Sequence, residues 1–118
     1  MAQTPEHKVK NHVKRILNKY PTTYSFMPAT HGYGSSGVPD IVACINGKFV
    51  AVECKANGGK TTALQKKNLR EIVAAGGHAF VVDEESTGVL AMMLDSVAFM
   101  NAEPKLHDFT EENPSENE

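Results

Sequence analysis

Gly37-Val38-Pro39-Asp40-Ile41-Val42-Ala43-Cys44-Ile45-Asn46-Gly47-Lys48-Phe49-Val50-Ala51-Val52-Glu53-Cys54-Lys55 decides the fold of this 118-residue chain. Asn46-Gly47 separates two apolar, β-rich runs, and a two-residue type I′ turn needs positive φ at both central positions. With those two as the loop, Ile45 pairs with Lys48, Cys44 with Phe49, Val42 with Ala51 and Asp40 with Glu53. Two carboxylates then face each other on one side of a sheet, where like charges destabilise a hairpin. A divalent cation with oxygen ligands would offset that repulsion. Lys55, two residues past Glu53, points the same way. The plainer alternative is a solvated face with an ordinary Lys–Glu pair. Against it, Phe49 and Ala51 share the face with the acids while Val50 and Val52 line the other. A strand apolar on both sides is covered on both sides, and ionised groups at its end need a reason.

The flanking sequence supplies the remaining elements. Thr4-Pro5 reads as an N-cap and first helical residue, and Val9, Val13, Ile16, Leu17 and Tyr20 form one apolar stripe. Lys8, Lys10, Lys14, Arg15 and Lys19 fall on the other sides, and Glu6 lies at the leading end of the stripe. Helix-dipole stabilisation alone would account for an acid there, but its inward position suits a second role. Pro21 stops the helix, and 22–27 reads as a strand. The loop 28–37 lacks the strand-to-helix setting of a phosphate-binding fingerprint, so no nucleotide cofactor is expected. His31, Tyr33, Ser35 and Ser36 on that loop are candidate DNA contacts. Thr62 and Gln65 form a capping box for a helix reaching Ala75, with Gly76-Gly77 as its stop. Gln65 shares the inward face with Leu69, Ile72 and Val73, so it can both cap the helix and orient Lys55 or a phosphate oxygen. Lys60, Lys66, Lys67 and Arg70 flank it and would meet a DNA backbone. Residues 78–82 read as a strand and 83–85 as an acidic turn. Residues 89–100 read as an ill-defined strand or turn leading into a helix around 95–102, its methionines serving as packing. One domain over 1–102 and an acidic, disordered tail over 103–118 follow.

Composition agrees with a single core: 41% hydrophobic and 22% charged residues, with a net charge of −2. The charge is polarised. Residues 1–82 hold eleven Lys/Arg and four Asp/Glu, a net +7, whereas 83–118 hold one and ten, a net −9. A basic body around a small acidic site suits a phosphodiester. No run approaches a membrane span and no signal-peptide core is seen, so a soluble cytoplasmic protein without a membrane partner is expected. Cys44 and Cys54 point to opposite faces of the hairpin; both read as small buried hydrophobes, neither disulfide nor zinc ligands.

Pro39-Asp40, the twelve residues that follow, and Glu53-Cys54-Lys55 together resemble the PD-(D/E)xK nuclease signature. With Gly37 ahead and Gln65 after, the chain from Glu6 to Val82 is similar to the VRR-Nuc family of virus-type replication and repair nucleases. The resemblance implies an α/β fold with a restriction-endonuclease-like core, a central mixed β-sheet flanked by helices. It also implies Mg²⁺ or Mn²⁺ held by Asp40, Glu53, the main-chain carbonyl of Cys54 and Glu6. Lys55 would position the nucleophile or stabilise the transition state, and Gln65 would join the catalytic set. The product would carry a 5′-phosphate, and the substrate would be branched DNA such as a Holliday junction, cut by a homodimer. Two alternatives share the core: a restriction-type or RNA-directed nuclease, and a catalytically silent nucleic-acid-binding module. Intact Asp40, Glu53 and Lys55 argue against the silent module, because acids beside phosphate weaken binding.

Overall fold

The computed structural model describes residues 3–29 and 37–111. Asn46 adopts φ 51° and Gly47 φ 84°, the left-handed pair that a type I′ loop demands. Strands β2 (Ile41–Ile45) and β3 (Lys48–Cys54) therefore pair antiparallel with Ile45 opposite Lys48, Cys44 opposite Phe49 and Val42 opposite Ala51. Asn46 also donates its side-chain amide to the Ala98 carbonyl at 2.9 Å, tying the turn to the far helix. Strand β1 (Thr23–Phe26) adds antiparallel to β2; β4 (His78–Val82) and β5 (Leu106–Asp108) extend the β3 edge in parallel. The result is one mixed sheet in the order β1-β2-β3-β4-β5.

Helices cover both faces, as the apolar run of β3 requires. On one face α1 (Pro5–Leu17) and α3 (Thr87–Phe99) bury Val9, Val13, Leu17, Leu90 and Leu94 against Ile41, Ile45, Val50, Val52 and Phe80. Side chains of this size contribute roughly 1.5–3 kcal/mol each when fully buried, so this larger core carries most of the stability. On the other face α2 (Ala63–Ala74) sets Leu69, Ile72 and Val73 against Ala51, Ala79 and Val81. Thr4 caps α1 by accepting the His7 N–H, and Thr62 with Gln65 completes a reciprocal capping box on α2. No helix among the described residues is long and apolar enough to cross a membrane.

Three expectations need correcting. Residues 87–99 form one helix, where a strand or turn followed by a helix over 95–102 was expected. Its buried set Leu90, Leu94, Val97 and Ala98 does follow helical spacing. The signal is masked because Val89, Met92, Phe99 and Met100 on the opposite side are apolar too, and exposed. Met92 and Met100 therefore do not pack. Second, the disordered tail expected over 103–118 does not begin at Glu103. Leu106–Asp108 form β5, with Phe109 N–H donating to the Val81 carbonyl at 2.9 Å; residues 112–118 lie outside the described residues. Third, Cys44 is exposed while Cys54 is buried. The two do point to opposite faces, but α2 packs toward β4 and β5, leaving Tyr24, Phe26, Cys44 and Phe49 uncovered on its face of the sheet.

Candidate active site

The acids meet at the end of the sheet. The β2–β3 ladder closes at Ile41 opposite Val52, and Asp40 sits in a bend just ahead of β2. Instead of a simple cross-strand pairing with Glu53, Asp40 turns its Oδ2 onto the Cys54 backbone N–H at 2.7 Å. A charge-assisted bond of that length is among the stronger ones a carboxylate makes, and it locks Asp40 to the strand that carries Glu53. Gly37 makes this approach possible. A Cβ there would fall 2.5 Å from the Asn68 side-chain nitrogen and 2.7 Å from the Leu64 carbonyl oxygen, so only glycine lets the chain pass the first turns of α2 on its way to Asp40.

Glu53 is 3% exposed. Its Oε2 accepts from Gln65 Nε2 at 2.9 Å and lies 3.5 Å from Lys55 Nζ. Burial pushes its carboxyl up to about 8, the neighbouring Asp40 adds to the rise, and Lys55 works against it. Lys55 is itself held: its N–H donates to the Val82 carbonyl at 2.8 Å, continuing the pairing with β4 beyond the end of β3. Gln65 serves two elements at once. Its Oε1 accepts the Thr62 N–H at 2.9 Å, completing the cap, while its amide nitrogen reaches Glu53. The polar role expected for it is therefore directed at Glu53 and not at Lys55.

Glu6 is half-buried at the start of α1 and acts through charge on Lys10 and the Cys54 thiol. It does not complete a three-acid cluster: no group of three His, Cys, Asp or Glu side chains suited to a metal ion forms among the described residues. The cation nearest Asp40 is instead Lys10, with Nζ 3.3 Å from Oδ1. Burial opposes the charge of Lys10, but Asp40 and Glu6 outweigh it and raise its pKa. The helical stripe assigns Lys10 to the solvated side, one residue past buried Val9. Its long aliphatic stem nevertheless carries the ammonium back over the sheet end; the one available signal was Glu6 a turn earlier at i, i+4. Cys54 turns its thiol into the α1/α3 core, and burial, then Asp40 and Glu53, push the thiol up. Its side chain is buried in that core, so it is the Cys54 main chain that faces the site.

Among the candidate nucleic-acid contacts, His31, Tyr33, Ser35 and Ser36 lie outside the described residues. The basic set around α2 is present but partly engaged. Lys60 Nζ donates to the Thr110 carbonyl, Lys66 pairs with Glu111 at 2.9 Å, and Lys67 pairs with Glu71 at 2.7 Å one turn along the helix. Arg70 is exposed.

Residues 9–107 match the family model of the archaeal Holliday junction resolvase (Hjc). Asp40, Glu53, Lys55 and Gln65 fall inside that stretch and Glu6 just outside it. A putative nuclease, p44, of Acyrthosiphon pisum secondary endosymbiont phage 1 is 43% identical over 53 residues, which are 44% of this chain and 57% of that protein. The Hjc Holliday junction resolvase of the archaeal hyperthermophile Archaeoglobus fulgidus superposes with a TM-score of 0.46 at 19% identity, covering 67% of this chain and 63% of that one. With five-sixths of its length matched, from the first helix through β5, the chain belongs to the archaeal Holliday junction resolvase (Hjc) family of PD-(D/E)xK nucleases.

Proposed function

We propose that this protein is a divalent-cation-dependent endonuclease that cuts branched DNA, four-way junctions in particular. The observation that carries the proposal is the Asp40–Glu53–Lys55 constellation at the sheet end. Both acids are immobilised there by neutral donors, Cys54 N–H and Gln65 Nε2, and stand beside an ammonium. Membership of the Hjc family and the likeness to a phage nuclease support the substrate class. Within the superfamily, Gly37-Val38-Pro39-Asp40 with Gln65 also supports a VRR-Nuc-like variant of the site.

The donor set fits a hard cation. Two carboxylates crowd one another at the sheet end, the Cys54 thiol is turned into the core, and the Cys54 carbonyl is a further oxygen. Mg²⁺ or Mn²⁺ matches such oxygen ligands, and Asp40, Glu53 and the Cys54 main chain would hold it, with Glu6 as an outer partner. When bound, the ion supplies charge neutralisation at the phosphoryl group and an acidified water. The residues then have separate tasks. Cys54 N–H keeps Asp40 Oδ2 in place, and Gln65 keeps Glu53 from swinging toward solvent. Lys55 orients the attacking water or stabilises the charge that builds on the phosphoryl oxygens. Gln65 acts through Glu53 and is a positioning residue. Hydrolysis on this plan leaves a 5′-phosphate.

DNA would enter across the basic surface formed by Lys60, Lys66, Lys67 and Arg70 of α2 and the turn before it, displacing Glu111 from Lys66. Cutting two strands symmetrically calls for two sites, hence a homodimer, acting in the cytoplasm. The test is cleavage of a four-way junction beside duplex and single-stranded DNA of the same sequence, with Mg²⁺ or Mn²⁺. Preferential nicking of the junction supports the proposal. Equal cleavage of duplex favours a restriction-type enzyme, and a metal-independent mobility shift with no cleavage of any DNA favours a silent binding module.

A further inference from the structure

We propose that Lys10 is a positioning residue of this site: its ammonium is the counter-ion of Asp40 while no cation is bound, and it competes with the cation for that carboxylate. The inference rests on the reading of Asp40 and Glu53 as cation ligands.

Three observations carry it. Asp40 divides its two oxygens between a fixed donor and a movable one: Oδ2 on the Cys54 backbone N–H at 2.7 Å, Oδ1 3.3 Å from Lys10 Nζ. The pair is sheltered, with side chains 25% and 17% exposed, whereas the surface pair Lys67–Glu71 has side chains 66% and 63% exposed. Finally, Lys10 follows buried Val9 on α1, so its backbone is anchored while its charge is carried on a flexible four-carbon stem.

The two sides of the site thus have opposite characters. From the α2 side, Gln65 holds Glu53 with a neutral amide that can remain when a cation arrives. From the α1 side, Lys10 holds Asp40 with a positive charge that cannot share the same oxygen with a dication. Loading the site must move the ammonium away from Oδ1, toward Glu6 one turn back or toward a substrate phosphate. Glu6 precedes Lys10 by four residues, the favourable order for such a pair on a helix. A unit charge about 5 Å from a dication, screened as strongly as in bulk water, still weakens ion binding roughly tenfold.

The test is Mn²⁺ binding without DNA, followed by the electron paramagnetic resonance of the free ion. Wild type, Lys10→Met, Lys10→Arg and Asp40→Asn are titrated side by side. Lys10→Met is expected to bind Mn²⁺ about tenfold more tightly than wild type, Lys10→Arg to stay near wild type, and Asp40→Asn to lose the site. A purely structural role for Lys10 would loosen binding on substitution and would never tighten it. Unchanged or weaker binding by Lys10→Met, with Asp40→Asn still losing the ion, overturns the role of Lys10 and leaves the cation-site reading intact. Absence of any Asp40-dependent Mn²⁺ binding overturns both.

Discussion

Replacing Glu53 by Gln should make the cation-free protein more stable above neutral pH and leave it little changed near pH 5. Burial and the adjacent Asp40 raise the Glu53 carboxyl from 4.5 to about 8. The folded chain therefore keeps a proton that the unfolded chain releases. The sign follows directly: a carboxyl raised on folding contributes stability in full below its unfolded value, and that contribution is lost as pH rises through the folded value. At 1.36 kcal/mol per unit, the whole shift corresponds to roughly 5 kcal/mol. Relaxation and water penetration around a buried charge reduce such a penalty, so we expect about 2–4 kcal/mol at pH 8.5. Glutamine keeps the shape, stays neutral, and can still accept from Gln65 Nε2. The assay is urea unfolding in EDTA at pH 5, 6, 7 and 8.5 for both proteins. His78 and His107, whose pKa values burial lowers, titrate in both and cancel in the difference. That difference should open progressively between pH 5 and 8.5, and Mg²⁺ should close it by stabilising only the wild type. A difference that stays constant with pH would refute the reasoning.

Other substitutions probe the supports of the site. Gly37→Ala forces a Cβ into the Leu64 carbonyl and the Asn68 side chain; it should cost about 1–3 kcal/mol in urea unfolding and lower cleavage further than stability alone explains, because Asp40 shifts with the chain. Thr62→Ala removes the side-chain acceptor of the α2 cap and should cost about 1 kcal/mol, read as a lower Tm, with reduced kcat as Gln65 loosens its hold on Glu53. Glu111→Gln frees Lys66 from its carboxylate; filter binding at low salt should show severalfold tighter DNA, an advantage that fades as salt screens the exposed pair.

The hairpin was legible because Asn-Gly between apolar runs leaves one register, and that register alone brings Asp40, Glu53 and Lys55 to one sheet end. The dual use of Gln65 was half legible: the capping box is written in Thr62 and Gln65, but its second partner depends on how α2 lies over β3. Lys10 was not legible. Its helical position points to solvent, and only the trajectory of a flexible stem across the sheet end brings its charge to Asp40. Helix α3 was hidden by its apolar outer face, where Met92, Phe99 and Met100 erase the contrast on which helical periodicity depends. Strand β5 is three residues long in an acidic stretch. It is held by pairing with β4 and by the stacking of His107 and Phe109 near Phe80, contacts with no local signature.

The most direct test of the central claim is cleavage of a labelled four-way junction with Mg²⁺ by wild type, Asp40→Asn and Lys55→Ala. Paired nicks leaving 5′-phosphates from the wild type, abolished by EDTA and absent in both variants, are the predicted result. Activity in either variant equal to that of the wild type, or cleavage indifferent to EDTA, would contradict it.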